Sequence, residues 1–183
     1  MKHLIPALAI GLSACAVITS LWLGWTALEH NRLSVRPLVL GVPYLEGPDE
    51  RNGLYLKNVG LGPAIIKSAS ISLDGKRYDL TGDIWQDALI SIDVEPLCFR
   101  TARLPLETTI QVGQELPLLS MRSSSSVALC LHESIKLLSE HQIHIALEYQ
   151  SLYGENLWVG NSYRLPSARH DYARALRKLN TMR

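Results

Sequence analysis

The hydrophobic positions divide the chain into three parts with different periodicities. Residues 4–28 form one apolar run without a charged side chain, which predicts a transmembrane helix. Residues 38–165 contain short stretches in which apolar and polar positions alternate, a pattern typical of half-buried β-strands. Residues 166–183 place apolar side chains at helical spacing among basic ones and predict a short amphipathic helix. Residues 1–3 form an N-terminal tail, and residues 29–37 are interpreted as a juxtamembrane linker.

The apolar run is long enough to cross a bilayer. As a helix, its 25 residues would extend about 37 Å, whereas a hydrocarbon core is about 30 Å thick. Trp22 and Trp25 lie near its far end, where indole rings favour the membrane interface. Glu29 and Arg32 follow and end the run. We therefore predict a single-pass protein whose first partner is the lipid bilayer.

An intact helix has two alternatives. Residues 12–15, LSAC, resemble the lipobox of bacterial lipoproteins, in which the cysteine is acylated, so Cys15 is a candidate lipidation site. Lipoproteins usually continue into a polar tether, whereas residues 16–28 stay apolar, and an intact helix is therefore favoured. A cleaved secretory signal is favoured least, because the residues before Glu29 make a poor cleavage site.

The sequence barely distinguishes the two orientations of the helix. The positive-inside rule compares Lys2 and the α-amino group with Arg32 and Arg36 on the other side. A short N-terminal tail that carries a lysine usually stays in the cytoplasm. This favours an exported, periplasmic domain by a small margin.

The middle part of the chain predicts a mainly β domain. Residues 54–59 alternate with period two, residues 64–73 form another strand, and Asp74-Gly75 is a strong hairpin signal. Residues 142–150 give the clearest strand. Its apolar face consists of Ile143, Ile145, Leu147 and Tyr149. Short strands joined by turns, without a rhythm of alternating strands and helices, are typical of an antiparallel β-sandwich.

Further elements are predicted on either side of these strands. Additional strands are expected at 39–45, 108–119 and 157–165. Two short helices are expected at 83–90 and 132–140, and Asp83 is a candidate cap of the first.

Residues 58–64 carry a distinctive turn pattern. Their sequence, NVGLGPA, resembles the N-x-G-x-G-P-A pattern of immunoglobulin-like bacterial domains, and residues 31–37 are similar to the juxtamembrane segment of small, uncharacterised bacterial membrane-anchored proteins. The resemblance implies an immunoglobulin-like sandwich at the bacterial inner membrane with an interaction or scaffold role. Gly60 and Gly62 permit a positive φ or a close backbone approach, and Pro63 removes a donor, so all three are interpreted as a structural turn.

The charges of the chain are segregated. Residues 29–163 hold 11 Lys and Arg against 16 Asp and Glu and carry −5, residues 164–183 carry +5, and the whole chain carries +1. This balance does not suggest a polyanionic partner.

The basic tail is a candidate contact surface. A helix that begins near Ser167 would display basic side chains for a partner protein or for lipid: Arg169, Arg174, Arg177 and Lys178. Packing of this helix on its own domain is the other interpretation, and the alternatives stay open. Nucleic acid is not expected as a partner, because no aromatic residues are interleaved with the basic ones.

Cys98 and Cys130 are the two cysteines of the predicted domain. They form neither a CxxC motif nor a zinc-like spacing. They are interpreted as two buried, small hydrophobic side chains in preference to a disulfide. A disulfide is the alternative, and it would require an oxidising compartment.

The sequence predicts no enzyme, metal or cofactor. Motifs for nucleophilic catalysis, phosphate loops, zinc proteases and dinucleotides are absent. The best metal candidates are His132, His141 and His144 with nearby glutamates. However, four residues along a strand separate His144 from Glu148 by about 13 Å, too far to share one ion.

Two further groups of residues allow both a structural and a functional interpretation. Four acidic residues are interpreted as a solvated face in preference to general acids and bases: Asp83, Asp87, Asp93 and Glu95. Five aromatic residues would either line a groove or fill the core, and their alternating strand positions favour the core: Trp85, Tyr149, Tyr153, Trp158 and Tyr163.

Taken together, the patterns predict a membrane-tethered, non-catalytic β-sandwich protein. The leading hypothesis is a protein-interaction domain or an accessory subunit of a bacterial membrane complex. The alternatives are an envelope module that binds a small ligand or a glycan, and a lipoprotein anchored through Cys15. A hydrolase assembled from scattered acids is the weakest hypothesis.

Overall fold

The computed structural model describes residues 4–46, 51–122 and 127–165. It contains an N-terminal apolar helix and a mainly antiparallel β region in two sheets. The predicted C-terminal helix, with its four basic contact residues, lies outside the described residues.

Helix α1 spans Leu4–Ser34 and is long and apolar enough to cross a membrane. Every residue from Gly11 to Ser34 is exposed, so among the described residues no other element buries this part of α1. The helix continues six residues past the predicted end of the apolar run at Leu28, since residues 29–34 of the predicted linker are helical. Only a short segment, residues 35–38, separates the helix from the first strand.

Within the part of the chain that the structure describes, nine strands follow α1, in two sheets. The first sheet has the order β1-β2-β7-β5, and the second has the order β4-β3-β8-β9, with β6 paired to β3. Their bounds are β1 Val39–Leu45, β2 Asn52–Asn58, β3 Ala64–Leu73, β4 Lys76–Asp79, β5 Phe99–Thr101, β6 Thr109–Ile110, β7 Glu115–Met121, β8 Ile143–Gln150 and β9 Asn156–Tyr163. All the pairings are antiparallel. We call residues 39–163 the two-sheet domain.

Both sheets contribute to one hydrophobic core. Leu54 and Leu56 of β2 and Ile71 and Leu147 of the other sheet are fully buried in the same cluster. Strand β8 alternates strictly between buried and half-buried positions, as its sequence predicts. The tyrosine at its end reaches across to the first sheet, where the backbone N–H of Val39 donates to the Tyr149 hydroxyl oxygen over 3.4 Å.

The helices pack against the core and the ends of the strands. Helix α2 spans Trp85–Ile90, a 3₁₀ turn spans Pro96–Cys98, and α3 spans Val127–Glu140. The predicted cap at Asp83 is wrong: Ile84 occupies the cap position and no side chain caps the helix. Helix α3 begins five residues earlier than the predicted 132, and its apolar face packs against the far ends of β1 and β7, at Leu45 and Met121.

The preference for two separate thiols is also wrong. Cys98 and Cys130 are joined by a disulfide that links the 3₁₀ turn to α3, and both residues are buried. The two cysteines are 32 residues apart in sequence, with Cα atoms 4.9 Å apart. The sequence favoured isolated thiols because no local spacing motif connects them.

Candidate functional site

The four residues between α1 and β1 do not form a free linker. The segment Val35–Leu38 lies along the turn between β2 and β3, and backbone hydrogen bonds hold it there. Leu61 N–H donates to the Arg36 carbonyl over 3.1 Å, and Val59 N–H donates to the Leu38 carbonyl over 2.8 Å. We call this segment, together with the β2–β3 turn, the junction.

Gly60 and Gly62 are the residues that permit this approach. A Cβ atom on Gly62 would lie 1.7 Å from the Val35 carbonyl oxygen, and one on Gly60 would lie 2.2 Å from the Leu38 nitrogen. Neither glycine has a positive φ. The sequence suggests either a positive φ or a close backbone approach for Gly60 and Gly62. The structure shows the close approach, and the neighbouring backbone is the juxtamembrane segment.

Asn58 fixes the turn from inside. Its side chain is fully buried and makes four hydrogen bonds. The Oδ1 atom accepts from Leu38 N–H (3.2 Å) and Gly60 N–H (3.0 Å), and the Nδ2 atom donates to the carbonyls of Gly62 (2.8 Å) and Ile110 (3.0 Å). One amide thus connects the juxtamembrane segment, the β2–β3 turn and the end of β6 at Ile110. An amide carries both the donors and the acceptor that this position requires.

A second contact reaches the junction from the β8–β9 turn. Arg36 Nη2 lies 2.8 Å from Glu155 Oε1, and both side chains are about half-exposed. Above this ion pair, a cleft of about 360 Å³ separates Glu29, Arg32 and Leu33 of α1 from Tyr153 and Gly154 at the tip of the β8–β9 hairpin. The hairpin tip therefore lies beside the last turns of the helix.

The predicted membrane-interface residues lie on the uncovered part of α1. Trp22 and Trp25 are both exposed, as expected for side chains that meet lipid. Cys15, the candidate lipidation site, is an exposed free thiol on the same helix, and α1 runs through it without a break. The basic residues Arg169, Arg174, Arg177 and Lys178 lie outside the described residues.

The metal candidates do not converge. Within residues 4–46, 51–122 and 127–165, no group of three potential ligands is close enough to hold a metal ion. His141 Nδ1 lies 2.6 Å from Asp74 Oδ2, and His144 Nδ1 lies 2.9 Å from the Ser162 hydroxyl. The contact with His141 and the Gln142 N–H lowers the pKa of the Asp74 carboxyl. These histidines therefore support neighbouring structure.

Two of the four acidic residues, Asp93 and Glu95, have structural partners. Asp93 Oδ2 lies 2.8 Å from Lys136 Nζ, and this ammonium group lowers the pKa of the exposed Asp93 carboxyl. Glu95 Oε1 accepts from the N–H of Leu97 at the start of the 3₁₀ turn. Glu133 on α3 accepts from the Glu95 N–H over 3.0 Å. The contacts of Asp93 and Glu95 position backbone and helices, as structural acids do.

The five aromatic residues divide between core and surface. Trp85 and Tyr149 are buried, in agreement with the predicted core positions, and Trp85 Nε1 donates to the Ala102 carbonyl over 3.0 Å. The hydroxyl of half-buried Tyr163 donates to the Gly41 carbonyl over 2.6 Å, which joins the edges of the two sheets. Tyr153 and Trp158 are exposed, and the core prediction for these two is wrong.

Trp158 is the largest exposed side chain on the outer face of the second sheet. It is 69% exposed and pairs across the ladder with Glu148. Around this pair the face carries small side chains: Ser68 donates to Glu148, and Gly160 lies opposite Ala146. An exposed indole above a face of small side chains is typical of protein-binding surfaces, in which Trp is enriched.

Sequence reasoning missed Asn58, Arg36 and Glu155 as residues of the junction. Asn58 does belong to the turn pattern at 58–64, so an asparagine before two glycines was an available signal. The pairing of Arg36 with Glu155 spans 119 residues and has no local signature. No protein family, curated protein or solved structure matches this chain.

Proposed function

We propose that the protein is a membrane-tethered, non-catalytic interaction domain that serves as an accessory subunit of a bacterial membrane complex. The observation that carries this proposal is the junction. A flexible tether suits a domain that must search for a freely diffusing substrate. Here the tether ends in a segment held by three-point contacts, to Asn58, to the β2–β3 turn and to Glu155. A domain held at a fixed height and orientation suits the presentation of one surface to a neighbour in the same membrane.

The surface that we assign to the partner is the outer face around Trp158. Partner binding would remove the indole from water, and burial of a Trp side chain stabilises an interface by up to several kcal/mol. The alternative, a groove for a glycan or another small ligand, requires several aromatic rings in one place. Trp85 and Tyr149 are in the core, which weakens that alternative.

The strand order supports an interaction role and a more specific fold class. If β1, β2, β7 and β5 correspond to strands A, B, E and D, and β4, β3, β8 and β9 to C′, C, F and G, then the two sheets have the order of an immunoglobulin-like sandwich. Helix α3 then replaces the connection between strands E and F. We propose this fold class, in which many members work through binding surfaces.

The disulfide supports an exported domain. Disulfides persist in oxidising compartments such as the bacterial periplasm and are rare in the cytosol. The proposed location is thus the inner membrane, with the two-sheet domain in the periplasm. A maleimide reagent added to cells lysed in denaturant tests this in a Cys15→Ala background, because Cys98 and Cys130 are buried in the fold. In an exported domain they stay unreactive until a reductant is added, whereas in a cytosolic domain both thiols react without reductant.

Co-purification from a mild detergent extract tests the partner. We expect the wild-type chain to retain a stoichiometric partner and Trp158→Ala to lose it. Ile90→Ala is the matched control, because Ile90 is also a large exposed apolar side chain but lies on α2, away from the proposed face. Equal recovery of the partner with Trp158→Ala, or a wild-type chain that purifies alone, would contradict the proposal.

A further inference from the structure

The junction gathers three loops at one end of the two-sheet domain. Residues 59–63 form the β2–β3 turn, and residues 111–114 lie beside it, because Gly113 N–H donates to the Asn58 carbonyl and Asn58 N–H donates to the Gln114 carbonyl. Residues 151–155, the β8–β9 turn, join through the ion pair between Arg36 and Glu155. We call these three loops the rim.

The rim displays large apolar side chains to solvent. Leu61 is 70% exposed and Leu152 is 61% exposed. Val59, Val112 and Tyr153 are also exposed. Such residues scattered singly over a surface need no explanation, but side chains gathered at one end indicate a site that is covered.

The charge of the rim is close to zero. Glu155 is the one charged residue among positions 59–63, 111–114 and 151–155. Arg36 lies 2.8 Å from it and balances its charge. Water-facing loops more often carry charged and polar side chains, whereas an uncharged apolar rim with a tyrosine resembles the composition of membrane interfaces.

The helix sets the height of the rim. The tip of the β8–β9 hairpin, at Tyr153 and Gly154, lies beside Glu29, Arg32 and Leu33 across the junction cleft. At 1.5 Å per residue, helix positions 29–33 lie within about 8 Å of the end of the apolar run at Leu28. The headgroup layer of one leaflet is about 5–8 Å deep. Tilt of the helix only brings these positions closer to the hydrocarbon core.

We propose that the rim docks on the bilayer crossed by α1, with Leu61, Leu152 and Tyr153 at the boundary between headgroups and acyl chains. The occupant of this apolar surface is therefore lipid, because the helix that continues into the rim already enters the same leaflet. Docking adds a second membrane contact to the single helix and restricts rotation of the domain about it. The inference depends on membrane insertion of α1 and is independent of the partner proposed for the Trp158 face.

Fluorescent labels on the full-length protein test the proposal. A Cys15→Ala background removes the free thiol and keeps the Cys98–Cys130 disulfide. Single cysteines at Leu61 and Leu152 then carry an environment-sensitive nitrobenzoxadiazole label in phosphatidylcholine vesicles with brominated or ordinary acyl chains. We expect the brominated chains to quench both labels. A label at Lys76, on the hairpin at the opposite end of the strands, is the control that should not be quenched.

A label at Leu21 in α1 separates the possible failures. Quenching at Leu21 without quenching at Leu61 and Leu152 would overturn rim docking and leave the tether intact. Absence of quenching at Leu21 would overturn both. Addition of phosphatidylglycerol should leave the quenching unchanged, because the rim carries no net charge, and quenching that requires this anionic lipid would contradict insertion of apolar side chains.

Discussion

The two ends of the two-sheet domain are stabilised in different ways. At the junction, backbone approaches backbone across two glycines, and Asn58 supplies the hydrogen bonds. At the opposite end, α3 covers the strand ends with an apolar face and the Cys98–Cys130 disulfide attaches it covalently. The junction depends on two positions without side chains and on one hydrogen-bonding amide, whereas the far end depends on apolar packing and a covalent bond. We therefore expect substitutions at either end to destabilise the domain, but only those at the junction to expose residues 35–38 to protease.

Substitution of Asn58 by Ala should have the largest effect. It removes the four hydrogen bonds of a buried amide, two of them buried and two part-buried. At about 1 kcal/mol each, the free energy of unfolding should fall by about 4 kcal/mol. Chemical denaturation of the full-length protein in detergent measures this loss. Ser162→Ala, which removes one exposed hydrogen bond to His144, is the control and should change little. If Asn58→Ala lowered the free energy of unfolding by less than Ser162→Ala does, water would be replacing the hydrogen bonds of the Asn58 amide, and the prediction would be wrong.

Removal of the disulfide should come next. The chain-entropy argument gives a loss of about 3–4 kcal/mol for a loop of this length, 32 residues. The comparison is between wild type and a Cys98→Ala/Cys130→Ala variant, each with and without reductant. Reductant should destabilise the wild type to the level of the variant and leave the variant unchanged. Protease cleavage within residues 35–38 should not increase, since the disulfide lies at the opposite end from the junction.

The junction glycines provide the third test. A methyl group on Gly62 would overlap the Val35 carbonyl, and overpacking of this kind costs about 1–3 kcal/mol. We expect Gly62→Ala to lower the free energy of unfolding by about 2 kcal/mol and to expose residues 35–38 to protease. Gly160→Ala is the matched control, because the added atom would lie 3.5 Å from His144, an ordinary contact. Equal protease sensitivity of the two variants would contradict the junction as described.

The local part of this comparison was predictable from sequence, and the long-range part was not. The alternation of β8 and the hairpin at Asp74-Gly75 depend on period and turn chemistry, and both are confirmed. The start of α3 was missed because residues 127–131 are almost uniformly apolar, so their sequence does not distinguish a buried face from an exposed one. Only the fold shows that Leu131 packs against the strand ends. The disulfide joins positions that no local pattern relates.

The wrong cap and the missed ion pair have different causes, one local and one long-range. Asp83 resembles a helix cap in sequence, but the preceding turn is fixed by Asp79, whose carboxylate accepts from the Thr81 N–H and hydroxyl. Those bonds also lower the pKa of the Asp79 carboxyl. Arg36 and Glu155 meet only after the whole domain has folded. Sequence therefore predicts the elements, whereas the contacts that place them relative to the membrane depend on tertiary structure.

The smallest expected effect concerns Asp74, at the far end of the strands. The hydrogen bonds from His141 and the Gln142 N–H lower its pKa in the folded state, so the ionised form stabilises the fold. This stabilisation is complete above the unfolded pKa, about 4, and is lost as the pH falls through the lower folded pKa. The side chain is about half-exposed, and solvent screening limits the contribution to less than about 1 kcal/mol.

Asp74→Asn isolates that charge, because Asn also tolerates the positive φ of 48° found at this position. We expect the variant to be slightly less stable than wild type at neutral pH. The difference should begin to shrink near pH 4 and vanish once the pH lies below the lower folded pKa. Denaturation midpoints measured across the pH range give this difference directly. A difference that grows in acid would require a raised folded pKa and would contradict the hydrogen bonds at this carboxylate. The junction has no equivalent dependence on Asp74, so protease cleavage at residues 35–38 should stay constant between the two chains.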